Sequence, residues 1–302
     1  MKHPLIFDIK RYAINDGPGI RITIFFKGCP LKCAWCHNPE SQLPAQQKFY
    51  TASRCIGARD CIEICPNNAL SLTPDGIVTD WELCNLCGKC AEACPTKAIE
   101  MSGRFYTSQE LLKIIEKERV HFVQSGGGVT ISGGEPLMFP EFLIELLVLC
   151  KQAGIHTTVD TSGFAPEESI LKVAKHTDLF LYDLKMMDPV QHKKWTGVDN
   201  KRILENLKIL INAGKPVNIR VPLIKNVNAD EQNLRATAQF ISNLNGKIPS
   251  VNLLPYHPIG KGKYRKMGLP WSSFGMEELT EKEVEQAIQL FKGYGLEVEV
   301  GG

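Results

Sequence analysis

Cys29, Cys33 and Cys36 form a C-x3-C-x2-C array near the N-terminus, and Trp35 directly precedes the third cysteine. Three thiolates can hold three irons of a four-iron cluster, which leaves the fourth iron without a protein ligand. An open metal position can bind and activate a second molecule, whereas a cluster ligated fully by the protein only transfers electrons. The array therefore predicts a reactive iron–sulfur site. A zinc site is the alternative, but zinc ligands usually come as two C-x2-C pairs or as one such pair with H-x3-H.

A second group of cysteines belongs to an internal repeat with an offset of 29 residues. The sequence CIEICP at 61–66 recurs as CAEACP at 90–95. The second copy completes the pattern C-x2-C-x2-C-x3-C-P of two-cluster bacterial ferredoxins, in which the fourth cysteine of each run ligates the cluster of the other run. The predicted ligand sets are Cys65 with Cys84, Cys87 and Cys90 for one cluster, and Cys94 with Cys55 and Cys61 for the other.

The first copy of the repeat lacks one cysteine, because the offset aligns Ala58 with Cys87. Seven thiols then serve eight expected ligand positions, and alanine cannot bind iron. Three explanations remain open at this point: a three-iron cluster, a non-cysteine ligand such as Asp60 or water, or a shift of the loop that follows Cys55.

The composition narrows the class of protein. Ten of the eleven cysteines fall between Cys29 and Cys94, and an odd count at these spacings favours metal ligands over a disulfide framework. The eleventh, Cys150, lies in an apolar helical run and is expected to be a buried small hydrophobe. Lys and Arg total 35 against 33 Asp and Glu, which gives no electrostatic reason to expect a nucleic-acid partner. With no apolar run of membrane-spanning length and no signal-peptide core, we expect a cytoplasmic protein.

Outside the cysteine-rich segment, short β-rich runs alternate with helical stretches, a pattern typical of βαβ units in a parallel sheet. Six strands are too few for a closed eight-stranded barrel. The candidate strands are 22–27, 129–132, 156–160, 179–183, 217–221 and 251–254. The candidate helices are 108–118, 140–153, 166–175, 201–213, 229–243 and 281–292.

Polar motifs follow several of these strands, and ligand sites of parallel α/β proteins lie at the carboxyl ends of strands. The run Gly133-Gly134-Glu135 offers close backbone approach and a carboxylate that can accept hydrogen bonds from an ammonium group. Asp183 and Lys185 are two positions apart on an extended segment, so they point to the same face and can pair with the amine and carboxylate of an amino-acid ligand. Three further polar residues occupy comparable positions: Asp160, Arg220 and His257.

The cysteine array resembles the signature of the radical S-adenosylmethionine (SAM) superfamily, C-x3-C-x-aromatic-C. Its flanks, DGPGIR at 16–21, FKGC at 26–29 and CHN at 36–38, resemble the activating enzymes of glycyl radical enzymes within that superfamily. The resemblance implies an α/β fold: a partial (β/α)6 TIM-type barrel formed by residues 1–49 and 104–302, with a ferredoxin-like α+β domain inserted at 50–103. Activating enzymes with such an insert usually carry a complete cysteine set, so Ala58 departs from the family pattern.

The resemblance also implies an oxidoreductase chemistry. The open iron of a [4Fe-4S] cluster would bind SAM, and one electron would break the sulfonium C–S bond to give methionine and a 5′-deoxyadenosyl radical. That radical would take a hydrogen atom from a backbone glycine of a partner glycyl radical enzyme, so no side chain need act as acid, base or nucleophile. The two insert clusters would pass on electrons from a low-potential donor such as flavodoxin or ferredoxin.

The family positions that bind the cluster or SAM match residues of this chain one by one. In the family, the residue that matches Asp160 also helps to bind a monovalent cation. Two other classes of protein remain: a radical SAM enzyme that acts on a small molecule or peptide, and a ferredoxin-type electron carrier, which has no need of the first cysteine array. The implied ligands of the SAM-binding cluster are Cys29, Cys33 and Cys36, and the implied SAM contacts are Trp35, Cys36, His37, Gly133, Gly134, Glu135, Asp160, Asp183, Leu184, Lys185, Arg220 and His257.

Overall fold

The computed structural model describes residues 3–267 and 275–301. The strands within these ranges are β1 Leu5–Ala13, β2 Arg21–Phe26, β3 Gln47–Tyr50, β4 Leu70–Thr73, β5 Gly76–Thr79, β6 Ile99–Ser102, β7 Arg104–Phe105, β8 Gly128–Gly133, β9 His156–Thr161, β10 Leu179–Asp183, β11 Val217–Leu223, β12 Val251–Pro255 and β13 Val298–Val300. The helices are α1 Asp60–Glu63, α2 Lys89–Glu92, α3 Ser108–Glu116, α4 Arg119–Ser125, α5 Pro140–Gln152, α6 Glu167–Ala174, α7 Pro189–Thr196, α8 Lys201–Asn212, α9 Glu231–Ser242, α10 Lys261–Lys266 and α11 Glu281–Lys292.

One large sheet carries the fold, with the strand order β13-β12-β11-β10-β9-β8-β2-β1-β7. All strands from β2 to β13 in that order are parallel to their neighbours, and β1 and β7 add an antiparallel edge beside β2. Helices connect successive parallel strands, as the βαβ pattern requires. The predicted α/β class is therefore confirmed.

The six strands and six helices predicted outside the cysteine-rich segment are present, with ends that differ by a few residues. The sheet also contains a further parallel strand, β13, and the antiparallel β1 and β7, so the prediction of six strands was too low. Each missed element has a weak pattern. β1 carries charged residues among its apolar ones, and β13 has three residues. Three described helices outside the cysteine-rich segment were not predicted: α7 buries only His192 and Thr196, α4 buries only Phe122, and α10 buries none of its residues.

The main core lies between the sheet and its helices. In β2, Ile22, Ile24 and Phe26 are fully buried, and Leu143 and Leu147 of α5 pack into the same core. Burial of each such side chain contributes about 1.5–3 kcal/mol relative to its exposure. Along the strands the side chains alternate between this core and the opposite face of the sheet, as in β11, whose residues are alternately buried and half-buried.

Arg21 ties the amino-terminal ends of three strands together from inside the fold. Its guanidinium donates hydrogen bonds to Thr130 Oγ1 at 2.7 Å, to the carbonyl oxygen of Val129 at 2.7 Å and to Thr158 Oγ1 at 2.8 Å. Burial lowers the pKa of Arg21 to about 10, with Asp16 opposing this shift. These bonds satisfy the buried charge of Arg21 and hold the amino-terminal ends of β2, β8 and β9 together.

The segment between β2 and β7 forms a small structure of its own. β3 pairs with β6, and β4 pairs with β5, in both cases antiparallel. The helices α1 and α2 have one turn each, and a separate apolar cluster contains Cys61, Leu70, Ile77, Cys90 and Ile99. Among the described residues, no helix combines the length and the apolar character needed to cross a bilayer.

Candidate functional site

A cavity of about 260 Å³, the strand-end cavity, opens at the carboxyl ends of the parallel strands. This is the edge of the sheet at which the sequence predicts the site. Consecutive strands contribute to its wall, because parallel strands present all their carboxyl ends on one side. Its polar and sulfur-bearing wall residues include Cys29, Cys33, Cys36, His37, Ser132, Asp160, Thr161, Ser162, Asp183, Lys185 and Arg220.

The loop with the first cysteine array follows β2 directly and is held by backbone hydrogen bonds at both of its sides. Gly28 N donates to Ser41 O at 2.6 Å, and Ala34 N donates to Trp195 O at 3.0 Å at the end of α7. The missed helix α7 therefore supports the cysteine loop, as does the Lys32 amide, which donates to Thr196 O at 2.7 Å. These contacts direct three thiols into one cavity.

The three thiols of this loop suit a bound metal cluster. Burial raises the pKa of Cys33 to about 12 and also raises the pKa values of Cys29 and Cys36. Such thiols stay protonated unless a cationic group binds them, and metal binding displaces their protons. Across residues 3–267 and 275–301, no three His, Cys, Asp or Glu side chains are arranged to hold a single metal ion. The strand-end cavity brings three thiols together, and thiolates are the usual protein ligands of iron–sulfur clusters.

Gly133 and Gly134 allow the end of β8 to touch the cysteine loop. A Cβ atom on Gly134 would lie 2.1 Å from the carbonyl oxygen of Gly28, and Gly133 has a φ of +122° with a hypothetical Cβ 2.3 Å from the backbone of Phe26. The Glu135 amide donates to Gly28 O at 2.8 Å across this contact. Any side chain at either glycine would separate the two loops.

The carboxylate of Glu135, predicted as a contact of the ligand amine, lies behind the wall of the cavity. It is fully buried, and it is not among the described residues that line the cavity. One oxygen accepts hydrogen bonds from Thr161 Oγ1 at 2.6 Å and from the Leu137 amide at 3.1 Å, and the other accepts from the amide of Ser162 at 2.9 Å and from its hydroxyl. Burial raises the pKa of Glu135, and these hydrogen bonds oppose the shift. The carboxylate ties the loop after β9 to the loop after β8.

Four charged side chains form one network on the cavity wall. Lys185 Nζ lies 2.7 Å from Asp183 Oδ2, which agrees with the predicted shared face. Arg220 Nη1 lies 3.4 Å from Asp160 Oδ2, and Arg220 Nε lies 3.9 Å from Asp183 Oδ1. The Ser132 hydroxyl donates to Asp160 Oδ2 at 2.6 Å. Burial raises the pKa of Asp160 to about 6 against the opposing effect of Arg220.

Two hydrogen-bond donors of the Arg220 guanidinium are unsatisfied among the described residues. Its buried Nε and Nη1 atoms have no hydrogen-bond partner among the described residues, although both lie within ion-pair distance of a carboxylate. Buried donors in folded proteins are almost always satisfied, and leaving one unsatisfied costs about 1–3 kcal/mol. The network therefore fits a ligand with a carboxylate and an ammonium group, which would complete these hydrogen bonds.

An apolar group closes another side of the cavity. Trp35 and Tyr256 are buried together with Ile224 and Met276. His37 Nε2 lies 3.0 Å from the backbone oxygen of His257, and its ring centroid lies 6.5 Å from that of Tyr256. Trp35 and His37, predicted as contacts, thus reach the cavity wall.

Two predicted contact residues lie away from the described cavity wall. The side chain of His257 is 66% exposed and pairs with Glu278 at 3.3 Å. Leu184 packs in the main core, and its amide donates to Arg220 O at 2.9 Å. In contrast, Thr161 and Ser162 line the cavity although the sequence analysis did not select them. Their position directly after Asp160 at a strand end was the signal that could have identified them.

The remaining seven cysteines of the arrays line two smaller cavities in the segment between β2 and β7. Lys48 also lines the first cavity, with its Nζ 3.8 Å from Cys84 Sγ, and Ala58 and Asp60 also line the second. Cys65 and Cys94 each accept a hydrogen bond from the amide four residues later, at 3.3 and 3.2 Å. We name the two by their thiols: the four-cysteine cavity is lined by Cys65, Cys84, Cys87 and Cys90, and the three-cysteine cavity by Cys55, Cys61 and Cys94.

Lys27 joins this segment to the cysteine loop. Its buried Nζ donates to the carbonyl oxygen of Glu40, to Gln47 Oε1 at 2.8 Å on β3 and to Ser102 Oγ at 3.3 Å on β6. Burial lowers the pKa of Lys27 to about 8, with Glu40 opposing the shift. One side chain therefore connects the end of β2, the segment after the first cysteine array and the base of the small structure.

Comparisons with known proteins agree along the chain. Residues 23–238 match the model of the Radical SAM superfamily. The chain is 43% identical to the trans-4-hydroxy-L-proline dehydratase activating enzyme of Clostridioides difficile, over 99% of this chain and 100% of that protein. It is 39% identical to the choline trimethylamine-lyase activating enzyme of Oleidesulfovibrio alaskensis, over 98% of this chain and 97% of that protein. A solved domain of a pyruvate-formate lyase-activating enzyme from Bacteroides vulgatus is 41% identical with a TM-score of 0.51, and covers 59% of this chain and 100% of that one.

Proposed function

We propose that this chain, which belongs to the radical SAM superfamily and within it to the activating enzymes of glycyl radical enzymes, forms a glycyl radical on a partner enzyme. The observation that carries the proposal is the meeting of three thiols and a charged network with unsatisfied donors in the strand-end cavity. An electron carrier of the ferredoxin type has no use for that network. The relatives named above are all activating enzymes, which supports the same reaction here.

The thiols of Cys29, Cys33 and Cys36 would hold three irons of a [4Fe-4S] cluster and leave one iron open. When bound, the cluster and SAM supply one-electron cleavage of the sulfonium C–S bond, which gives methionine and a 5′-deoxyadenosyl radical. The chain provides the surroundings for this chemistry: fixed ligands, fixed charges and a cavity that they share.

Arg220 and Lys185 would contact the carboxylate of the methionine part of SAM, and the backbone of Gly133 and Gly134 would approach its amine. Asp160 would assist as part of the network and would help to bind a monovalent cation. The apolar residues around Trp35 exclude water from this side, which limits quenching of a reactive intermediate. Nothing in this arrangement requires a side-chain acid, base or nucleophile.

We assign residues 1–49 and 104–302 to a partial (β/α)6 barrel and residues 50–103 to a ferredoxin-like insert. Curvature of the sheet is supported by a second cavity at its other end, where Ile14 and Asn15 share a wall with Ser250 and Asn252. These residues lie at opposite sides of the strand order, so a flat sheet would keep them apart. The insert is supported by the two cysteine-lined cavities, which would hold two further iron–sulfur clusters.

The insert would accept electrons from a low-potential donor such as flavodoxin or ferredoxin and pass them to the strand-end cluster. Ten thiols held for metal binding need a reducing compartment, which supports a cytoplasmic location. The partner would be a glycyl radical enzyme, and the named relatives point to the dehydratases and lyases.

Anaerobic assays test the proposal. The protein is reconstituted with iron and sulfide, reduced with dithionite and given SAM, and 5′-deoxyadenosine is measured with and without candidate glycyl radical enzymes. We expect 5′-deoxyadenosine together with a glycyl doublet by electron paramagnetic resonance (EPR) when the partner is present. 5′-Deoxyadenosine without a doublet from any candidate would favour a small-molecule or peptide substrate, and none from fully iron-loaded protein would refute the mechanism.

A further inference from the structure

The two halves of the insert share one backbone conformation at the offset of the sequence repeat. Three pairs of residues separated by 29 positions all have φ in the left-handed region, which non-glycine residues seldom adopt. A shift of one loop relative to the other would break this agreement. The pairs are Gly57 with Leu86 (72° and 57°), Arg59 with Gly88 (68° and 80°), and Asn68 with Lys97 (50° and 51°).

The agreement brackets Ala58 on both sides, so Ala58 occupies the backbone position that Cys87 has in the other half. The thiols around it also correspond. Cys61 and Cys90 are each the second residue of a one-turn helix and are each 8% exposed. The three-cysteine cavity is therefore a four-thiol site that lacks one thiol and is otherwise conformationally intact.

The missing position faces solvent. Every residue from Ile56 to Asp60 is exposed, and a Cβ atom added to Gly57 would meet no described heavy atom within 4 Å. Ala58 itself lies on the cavity wall. A cluster in this cavity would thus present one of its corners to water through the gap left by the alanine methyl group.

Asp60 is the nearby side chain with ligating chemistry, and it too lies on the wall of the three-cysteine cavity. Its counterpart at the repeat offset, Lys89, is not among the described residues that line the four-cysteine cavity. Asp60 lies two positions beyond the gap as the first residue of α1, and it is exposed to solvent. This arrangement favours water over the carboxylate as the occupant of the open corner.

We propose that the three-cysteine cavity holds a cluster with one iron that no side chain ligates, and that this iron exchanges with solvent at Ala58. The proposal rests on the assignment of iron–sulfur clusters to the insert. It gives this chain a second site-differentiated cluster, distinct from the one in the strand-end cavity. The open iron would bind water, hydroxide or a small external thiolate, and it would be the first iron to be lost.

Iron loss provides the test, because its stoichiometry is fixed. One-electron oxidation of [4Fe-4S]2+ by ferricyanide gives [4Fe-4S]3+, and release of Fe2+ then leaves [3Fe-4S]+ with all four sulfides retained. The full-length chain is used with Cys29, Cys33 and Cys36 all replaced by Ala, so that the strand-end site cannot contribute a three-iron species. Released iron is measured with a ferrous chelator, and the three-iron cluster is measured by EPR.

In this background we expect about one equivalent of released Fe2+ and about one equivalent of three-iron signal per protein. Adding Ala58→Cys should remove both, because the fourth thiolate then closes the cluster. Adding Cys87→Ala instead should double both, because it creates the same gap at the matching position of the other half. Iron content before oxidation, measured for each variant, verifies that the clusters have been assembled.

One result would overturn the proposal. A fully iron-loaded background that releases no iron and shows no three-iron signal would mean that a side chain completes the cluster. If Asp60→Asn then produced the signal, Asp60 would be that ligand. These readouts need neither SAM nor a partner, so they are independent of whether the chain forms a glycyl radical.

Discussion

The chain contains two regions in which three cysteines face one cavity, and they differ in what surrounds the position of the missing fourth thiol. In the strand-end cavity, Lys185 and Arg220 pair with two partly buried aspartates, and an apolar group around Trp35 lies beside them. In the three-cysteine cavity of the insert, the position is taken by Ala58 on an exposed loop. The number of thiols is the same, but the surroundings are not.

This difference indicates that an open iron is not by itself a catalytic site. Binding a zwitterionic ligand requires oppositely charged groups at fixed positions, and these must be buried to be strong. The exposed loop around Ala58 offers water instead. We therefore expect SAM cleavage at the strand-end cavity alone, with the insert site limited to electron transfer and ligand exchange.

Removal of one thiol from each region gives the largest expected contrast. Cys33→Ala should lower dithionite-driven formation of 5′-deoxyadenosine by at least about 1000-fold, because the cluster that binds SAM loses a ligand. Cys61→Ala removes one thiol from the insert and should leave most of the dithionite-driven reaction, while it slows the reaction driven by a protein donor. Cys150→Ala, in the main core, controls for loss of a buried thiol. Equal loss of dithionite-driven activity in Cys33→Ala and Cys61→Ala would end the distinction between the regions.

The charged network gives the second contrast. Arg220→Met leaves the partly buried carboxylates of Asp160 and Asp183 without their guanidinium partner. Breaking a fully buried pair costs about 3–5 kcal/mol, so we expect about 3 kcal/mol, the lower end, for this partly exposed one. We expect kcat/KM for SAM to fall by about 100-fold or more, since each 1.4 kcal/mol corresponds to about tenfold. Arg220→Lys keeps the charge but loses the planar guanidinium, so its kcat/KM for SAM should lie between those of the wild type and Arg220→Met. If Arg220→Met protein with a full iron content bound SAM as tightly as the wild type, the network would not be part of the SAM site.

Glu135→Gln tests a residue that lies outside the cavity wall and connects the loops after β8 and β9. The amide nitrogen of glutamine would face N–H and O–H donors that now bind the carboxylate, so at least one hydrogen bond is lost, at a cost of about 1–3 kcal/mol of stability. We expect a lower melting temperature of the apo protein and roughly tenfold slower SAM cleavage, because the loop that follows Asp160 loses its anchor. Glu141→Gln, on the exposed side of α5, should change stability by less than about 0.5 kcal/mol. An unchanged melting temperature for Glu135→Gln would contradict the anchoring role.

Individual residues show how much of the candidate site could be predicted from the sequence. The cysteine spacings and the strand-end positions of Asp160, Asp183 and Arg220 sufficed to bring most of the site together, because strand order and side-chain alternation follow from local patterns. The burial of Glu135 and the outward turn of His257 could not be predicted in this way. They depend on which neighbouring loop offers hydrogen bonds, and that is decided by tertiary packing between segments distant in sequence.

The support that α7 gives to the cysteine loop was invisible for a related reason. The helix is short and polar, so its sequence has no apolar stripe, and its contribution consists of two backbone carbonyl groups at Trp195 and Thr196. Because every residue type has a backbone carbonyl group, such acceptors cannot be recognised from the sequence. The same holds for the left-handed residues of the insert, such as Arg59 and Lys97, whose conformation is set by the loops around the cysteines.

Lys27→Met is expected to have the smallest effect and tests the joint between the two regions. The substitution keeps most of the side-chain volume but removes the hydrogen bonds to Gln47 and Ser102 at the base of the insert. We expect the reaction driven by a protein donor to slow by a few-fold relative to the reaction driven by dithionite, since the insert would be held less firmly against the cysteine loop. The ratio of the two rates is the measurement.

Lys10→Met, at an exposed position of β1, is the matched control and should leave this ratio unchanged.

Along β3, Gln47 contacts Lys27, Lys48 lines the four-cysteine cavity, and Tyr50 lies beside Cys55 of the three-cysteine cavity. Lys48 and Tyr50 are separated by about 7 Å of extended strand, so the incomplete site lies farther from the joint than the complete one. Loosening the joint should therefore affect transfer out of the four-cysteine cavity, and equal slowing of both reactions would show that Lys27 only stabilises the fold.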